Sequence, residues 1–134
     1  MDLAILDTDI LSEVLKQQNA RVTNQATAYL QLHGLFAFSS IIRYEVRRGL
    51  KDKNAQVQLA RFAVFCRQSL IIAVADSILD RAADLWVLGR KLARPHRDAD
   101  LIIAATALEH GRSLVSGNTP HFAWIPGLKL ENWR

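Results

Sequence analysis

The stretch LAILDTDIL, residues 3–11, runs four apolar residues into Asp7, Thr8 and Asp9 and then turns apolar again. An ionised carboxylate taken out of water is costly unless it keeps its proton or finds a compensating group. The acids at the end of this run therefore either cap a helix or hold a cation. Leu3 to Leu6 reads as a short buried strand, and Asp9 to Lys16 as a helix with Ile10, Leu11, Val14 and Leu15 on one face.

The same alternation recurs along the chain. A polar-rich helix is expected from Asn19 to about Leu32, ending near Gly34. LFAFSS (35–40) is a second strand, with Ser39 or Ser40 as N-cap of a helix carrying Ile42, Val46 and Leu50. A helix from about Ala55 to Arg67 leads to a third strand, LIIAV (70–74). Asp76 or Ser77 caps a long helix through about Leu92, stopped by Pro95. DADLIIAATALEHG (98–111) is a helix apolar almost all round, hence central, with Gly111 as its stop. SLVS (113–116) is a strand, followed by a Gly117-Asn118-Thr119-Pro120 loop and a short last strand in GLKLENW (127–133). Apolar strands separated by helices predict an α/β fold, a three-layer α/β/α sandwich with a central parallel sheet of four to five strands. In such sheets ligands lie beyond the carboxyl ends of the strands, where Asp7 and Asp9 fall.

At 134 residues and 50% hydrophobic, the chain is expected to form one domain over residues 1–134. Its longest apolar run falls far short of the roughly 20 residues a bilayer requires, which points away from a membrane. The start, Met1-Asp2-Leu3, lacks the basic and apolar regions of a secretory signal, so a cytoplasmic location is expected. The single Cys66 lies among Phe62, Val64, Phe65 and Leu70 and reads as a small core hydrophobe. Lysine and arginine number 17 against 13 acids, a net charge of +4. The cations gather in two groups, Arg43, Arg47, Arg48, Lys51 and Lys53, and Arg90, Lys91, Arg94 and Arg97. Each is either a solvated helix face or a contact surface for nucleic acid.

Three acids can converge at one sheet edge: Asp7 after the first strand, Glu45 early in the helix after the second, and Asp100 at the start of the central helix. Like charges so placed repel unless a divalent cation neutralises them. Oxygen ligands without clustered His or Cys favour Mg²⁺ or Mn²⁺ over Zn²⁺. Each acid also has an ordinary structural role open to it. Asp9 can cap the first helix, and Glu45 can pair with Arg48 or Arg43. Asp98 and Asp100 stand about 200° apart on a helix, so they cannot both face one pocket; Asp98 is assigned the cap and Asp100 the metal. His96 in its loop and His110 at a helix end are left out as acid–base groups, and Trp86, Trp124 and Trp133 read as core or interface.

LDTDILSEVLK, SSIIRYEVRRGL and DADLIIAATALEHGRSLVSGN resemble, in order and spacing, the signatures of PIN-domain ribonucleases, specifically VapC-type toxins of bacterial type II toxin–antitoxin systems. The resemblance extends to IPGLKLENW and covers nearly the whole chain. It implies that Asp7, Glu45 and Asp100 are the metal-holding and catalytic acids, and that no cofactor beyond the metal is required. Thr8 and Ser116 resemble hydroxyl positions that orient the acids, although Ser116 also fits an ordinary strand-end hydroxyl. Asp9 stands where such chains carry Asn, and Asn118 where many carry a fourth acid. Both are accessory candidates, and the Asn118 amide leaves a second metal in question.

The activity implied is hydrolysis of RNA phosphodiesters, with Arg43, Arg47, Arg48, Arg94 and Arg97 as RNA-binding residues. The resemblance also implies a small antitoxin seated near Leu11, Val14 and Leu15, residues that core packing explains equally well. It further implies a homodimer, through the helices near Leu50 to Phe65 or Trp86. Two other readings compete: a receiver-like Mg²⁺-binding signalling domain with Asp76 as phosphoacceptor, and a PIN-like domain that binds RNA without cutting it. A receiver needs a lysine directly after the last core strand, and none directly follows SLVS.

Overall fold

Asp7 leaves the first strand in extended conformation, and its carboxylate accepts the Thr8 N–H, which starts the first helix at once. The computed structural model describes residues 1–94 and 96–134. In chain order the elements are β1 (Ala4–Leu6), α1 (Thr8–Lys16), α2 (Ala20–His33), β2 (Ala37–Ser39), α3 (Ser40–Asp52), α4 (Gln56–Arg67), β3 (Leu70–Ile72), α5 (Asp76–Lys91), α6 (Asp98–Glu109), β4 (Ser113–Val115), a 3₁₀ turn (Thr119–His121) and β5 (Leu130–Glu131). The helix stop assigned to Pro95 lies outside the described residues. Parallel strands under helical layers make the expected three-layer α/β/α sandwich.

The strands form two ladders instead of one continuous sheet. β1 pairs parallel with β4, and β4 with β5; β2 pairs parallel with β3. β1 packs beside β2 but forms no ladder with it. The cause lies at Ala4. Leu3 and Asp7 bond to β4, so by strand alternation Ala4 turns its backbone toward the β2 side. There the buried Tyr29 hydroxyl accepts from the Ala4 N–H at 3.0 Å and donates to the Ala4 carbonyl at 3.3 Å. The side chain of α2 thus takes bonds that a neighbouring strand would have made.

Helix starts follow local chemistry, with three corrections to the sequence reading. Ser39 caps α3 as expected, accepting from Ile41, and Asn19, read from the sequence as the start of its helix, caps α2 by accepting from Val22. Asp9 does not cap α1; Asp7 does, and Asp9 already lies in the first turn. Asp98 does not cap α6, because the backbone turns helical one residue earlier, after an extended Arg97. Asp98 is therefore exposed in the first turn, favoured by the helix dipole alone. Ala75, in place of Asp76 or Ser77, precedes α5.

α6 is the central helix: Leu101, Ile103, Ala104, Ala105 and Ala107 are all buried, and it packs on α5 and α3 before Gly111, at φ +61°, turns the chain into β4. Phe36, Phe38, Phe62 and Phe65 stack at 5.7–6.5 Å and fasten α4 beneath β2. Cys66 is half-buried beside them, where burial pushes its thiol pKa up against the pull of Arg43 and Arg47. No helix among the described residues is long and apolar enough to cross a membrane.

Candidate metal centre

The parallel arrangement brings the ends of β1 and β4 side by side, and with them Asp7 and Ser116. Asp7 is 8% exposed. Its Oδ1 accepts the Thr8 N–H at 2.8 Å and its Oδ2 accepts the Ser116 hydroxyl at 2.8 Å. Burial raises its pKa to about 6; the bonds from Ser116 and Thr8 oppose that shift, and the charges of Asp9 and Asp100 add to it. Ser116 in turn accepts the Asn118 N–H at 3.0 Å, so the loop after β4 is tied through one hydroxyl to the strand-end acid.

Asp100 is also buried, in the first turn of α6. Arg97 Nη2 stands 3.4 Å from its Oδ1, and His121 Nδ1 stands 3.6 Å from its Oδ2. Glu45 belongs to the second turn of α3, where its Oε1 accepts the Thr8 hydroxyl at 3.5 Å and its Oε2 lies 4.0 Å from Arg48 Nη2. Asp7 and Asp100 thus share an electrostatic field, and Thr8 links Asp7 to Glu45. Among the described residues, no three Asp, Glu, His or Cys side chains stand tightly enough to make a finished cage. The donor chemistry nevertheless fits a hard divalent ion: carboxylate and hydroxyl oxygens, and a buried acid whose ionisation like charges oppose.

Asp9 faces elsewhere. Its Oδ2 accepts the Gly117 N–H at 3.0 Å and sits 3.9 Å from Arg134 Nη1, while Arg134 Nη2 reaches Glu13 at 3.6 Å. The exposed Asn118 enters the network through its backbone. Arg43, Arg47, Arg48, Arg94 and Arg97 are all exposed, and Arg48 and Arg97 also stand 4.0 and 3.4 Å from Glu45 and Asp100. Leu11 is wholly buried and Val14 nearly so. Of the three apolar residues Leu11, Val14 and Leu15, the last two help line a cleft of about 510 Å³ between α1, α2 and α4.

Two neighbours of the acids, His121 and Arg134, were not singled out from the sequence. His121 follows the Gly117-to-Pro120 loop, and a loop leaving a strand at its carboxyl end is the signal that marks it. Arg134 has no such signal, since only the pairing of β5 with β4 returns the chain end to α1.

The sequence matches the PIN domain family over residues 4–123. No curated protein matches it. Among solved structures, VapBC2 from Rickettsia felis, bound to a DNA fragment from its promoter, superposes with a TM-score of 0.88 at 23% identity, covering 98% of each chain. DNA-bound VapBC from Salmonella typhimurium gives 0.87 at 21% identity, covering 100% of each chain. A toxin–antitoxin complex from Klebsiella pneumoniae gives 0.78 at 27% identity over 98% of each.

Proposed function

The chain belongs to the PIN-domain family, and from that premise we propose that it is a metal-dependent endoribonuclease, the toxin of a VapC-type toxin–antitoxin pair. The observation that carries this reading is Asp7, a buried carboxyl at a strand end, pressed toward protonation by burial and by Asp9 and Asp100. A site that disfavours its own charge in this way is one that a cation completes.

Asp7, Glu45 and Asp100 would hold a Mg²⁺- or Mn²⁺-class ion, which when bound supplies Lewis acidity toward water and a phosphoryl oxygen. The remaining roles fall to the chain's own residues. Ser116 fixes Asp7 Oδ2, and Thr8 orients both Asp7 and Glu45. Arg48 and Arg97 neutralise acids in the free chain and can turn outward to the phosphates of a bound strand, joined by Arg43, Arg47 and Arg94. Asp9 serves the Gly117 loop and Arg134 in place of the metal. The complexes formed by the structural relatives support a small antitoxin as partner. The cleft between α1, α2 and α4 suits an amphipathic segment of it. A homodimer remains part of the proposal. The receiver-like alternative gains nothing, since Asp76 is exposed beyond β3, which pairs with β2 and not with β1.

The test is cleavage of total cellular RNA by the purified chain and by Asp100→Asn, with Mg²⁺, with Mn²⁺ and with chelator. Discrete fragments that require both the metal and Asp100 are the expected result. Cleavage that survives either removal refutes the assignment, and RNA binding without cleavage at any metal concentration makes the chain a non-cutting PIN-like RNA binder.

A further inference from the structure

Beside Glu45, α3 exposes an aromatic ring that the proposed chemistry does not use. Tyr44 is 57% exposed, and the Arg48 guanidinium lies over its ring, with Cζ 5.1 Å from the ring centroid. That guanidinium also reaches Glu45 Oε2 at 4.0 Å. One cation therefore bridges an exposed π face and one of the site's acids. At about 100° per residue, Arg48 and Lys51 fall within roughly 40° of Tyr44 around the helix, Arg47 within about 60°, and Glu45 about 100° away. The ring is thus bordered by cations, with the acid beyond Arg48. Tyr44 does not serve the core, and its nearest charged companions are of the sign that phosphates seek.

We propose that Tyr44 is a stacking platform for an unpaired nucleobase of the substrate strand, with Arg48 and Lys51 holding the phosphates on either side of that base. This rests on the ribonuclease reading and deepens it, by requiring that the strand be single where it crosses α3. An aromatic face set among cations is the arrangement by which proteins grip single strands without reading their sequence, because every base offers a π face. A paired base keeps its faces inside the duplex stack, so a double strand could use the cations but not the ring. The Arg48 bridge adds a second consequence. While Arg48 covers the ring, the platform is closed, and a base that stacks there displaces the guanidinium toward the adjoining phosphate.

The experiment measures binding in chelator, where no cleavage interferes, by fluorescence anisotropy of a labelled single-stranded oligoadenylate. Its counterparts are a strand of the same length with abasic sites and a duplex. Tyr44→Ala should weaken binding of the base-bearing strand about five-fold or more. Tyr44→Phe and Tyr44→Trp should stay within two-fold of the wild type, and all four proteins should bind the abasic strand and the duplex alike. The proposal is overturned if Tyr44→Ala binds the base-bearing strand as the wild type does, if Tyr44→Phe loses as much as Tyr44→Ala, or if the loss is equal on the abasic strand. It is also overturned if Tyr44→Ala changes the sedimentation coefficient, which would place the ring against a second copy of the chain. A wild type that shows the expected binding pattern but cuts nothing with Mg²⁺ or Mn²⁺ removes the nuclease reading and leaves the platform standing.

Discussion

Asp7 carries a folded pKa near 6 against an ordinary 3.8, with burial as the leading cause. Between those values the folded chain binds more protons than the unfolded one, so stability falls as pH rises. Below about pH 4 both states hold the proton and nothing is lost; above about pH 6 the full penalty stands, about 3 kcal/mol. Asn caps a helix as well as Asp. Asp7→Asn should therefore stabilise the metal-free chain at neutral pH by about 1–3 kcal/mol and make little difference near pH 4. Urea melts at the two pH values decide it: an equal change at both would mean that Asp7 ionises freely. Millimolar Mn²⁺ should raise the Tm of the wild type and leave that of Asp7→Asn almost unmoved, because the cation relieves the same penalty.

The loop that leaves β4 works as a unit with α1. A Cβ on Gly117 would come within 2.5 Å of Asp9 Oδ2 and 2.9 Å of Arg134 Cδ, so any side chain there must push the clasp open. Both atoms belong to flexible, part-exposed side chains that can give way, so Gly117→Ala is expected to cost about 1 kcal/mol or less, the worth of the loosened contacts. Asp9→Ala should cost less when made in the Gly117→Ala background than alone, because there it also relieves the clash with the new Cβ; strict additivity in a double-mutant cycle would contradict the clasp. Elements of this kind were only partly legible in the sequence. Apolar runs and their spacing marked every strand and helix, and Ser39 announced its cap through side-chain chemistry. Asp9 and Asp98 misled because a cap depends on where the backbone leaves extended φ/ψ, which a one-residue offset decides. The gap between β1 and β2 was invisible because its cause, Tyr29, lies 25 residues from Ala4. The expectation that Asp7, Glu45 and Asp100 gather came from topology, and the structure links Asp7 to Glu45 through Thr8 and to Asp100 through charge, whereas His121 and Arg134 reach the acids only through tertiary folding.

At the scale of the whole molecule, the net charge of +4 acts through where it sits. Arg43, Arg47 and Arg48 project from one helix beside Glu45, and Arg94 and Arg97 lie before α6. If Arg43 and Arg47 each meet a phosphate, replacing either with Gln should flatten the plot of log affinity against log salt by about 0.7 for a single strand. Oligonucleotide titrations in chelator from low to moderate salt measure this, and an unchanged slope would identify a solvated face that touches no RNA. The return of Arg134 to Asp9 and Glu13 has a practical corollary. Any purification handle fused behind Arg134 is moored at the rim of these acids, where a polyhistidine run would compete for divalent ions. Protein intended for metal titration should carry its handle ahead of Met1, or none.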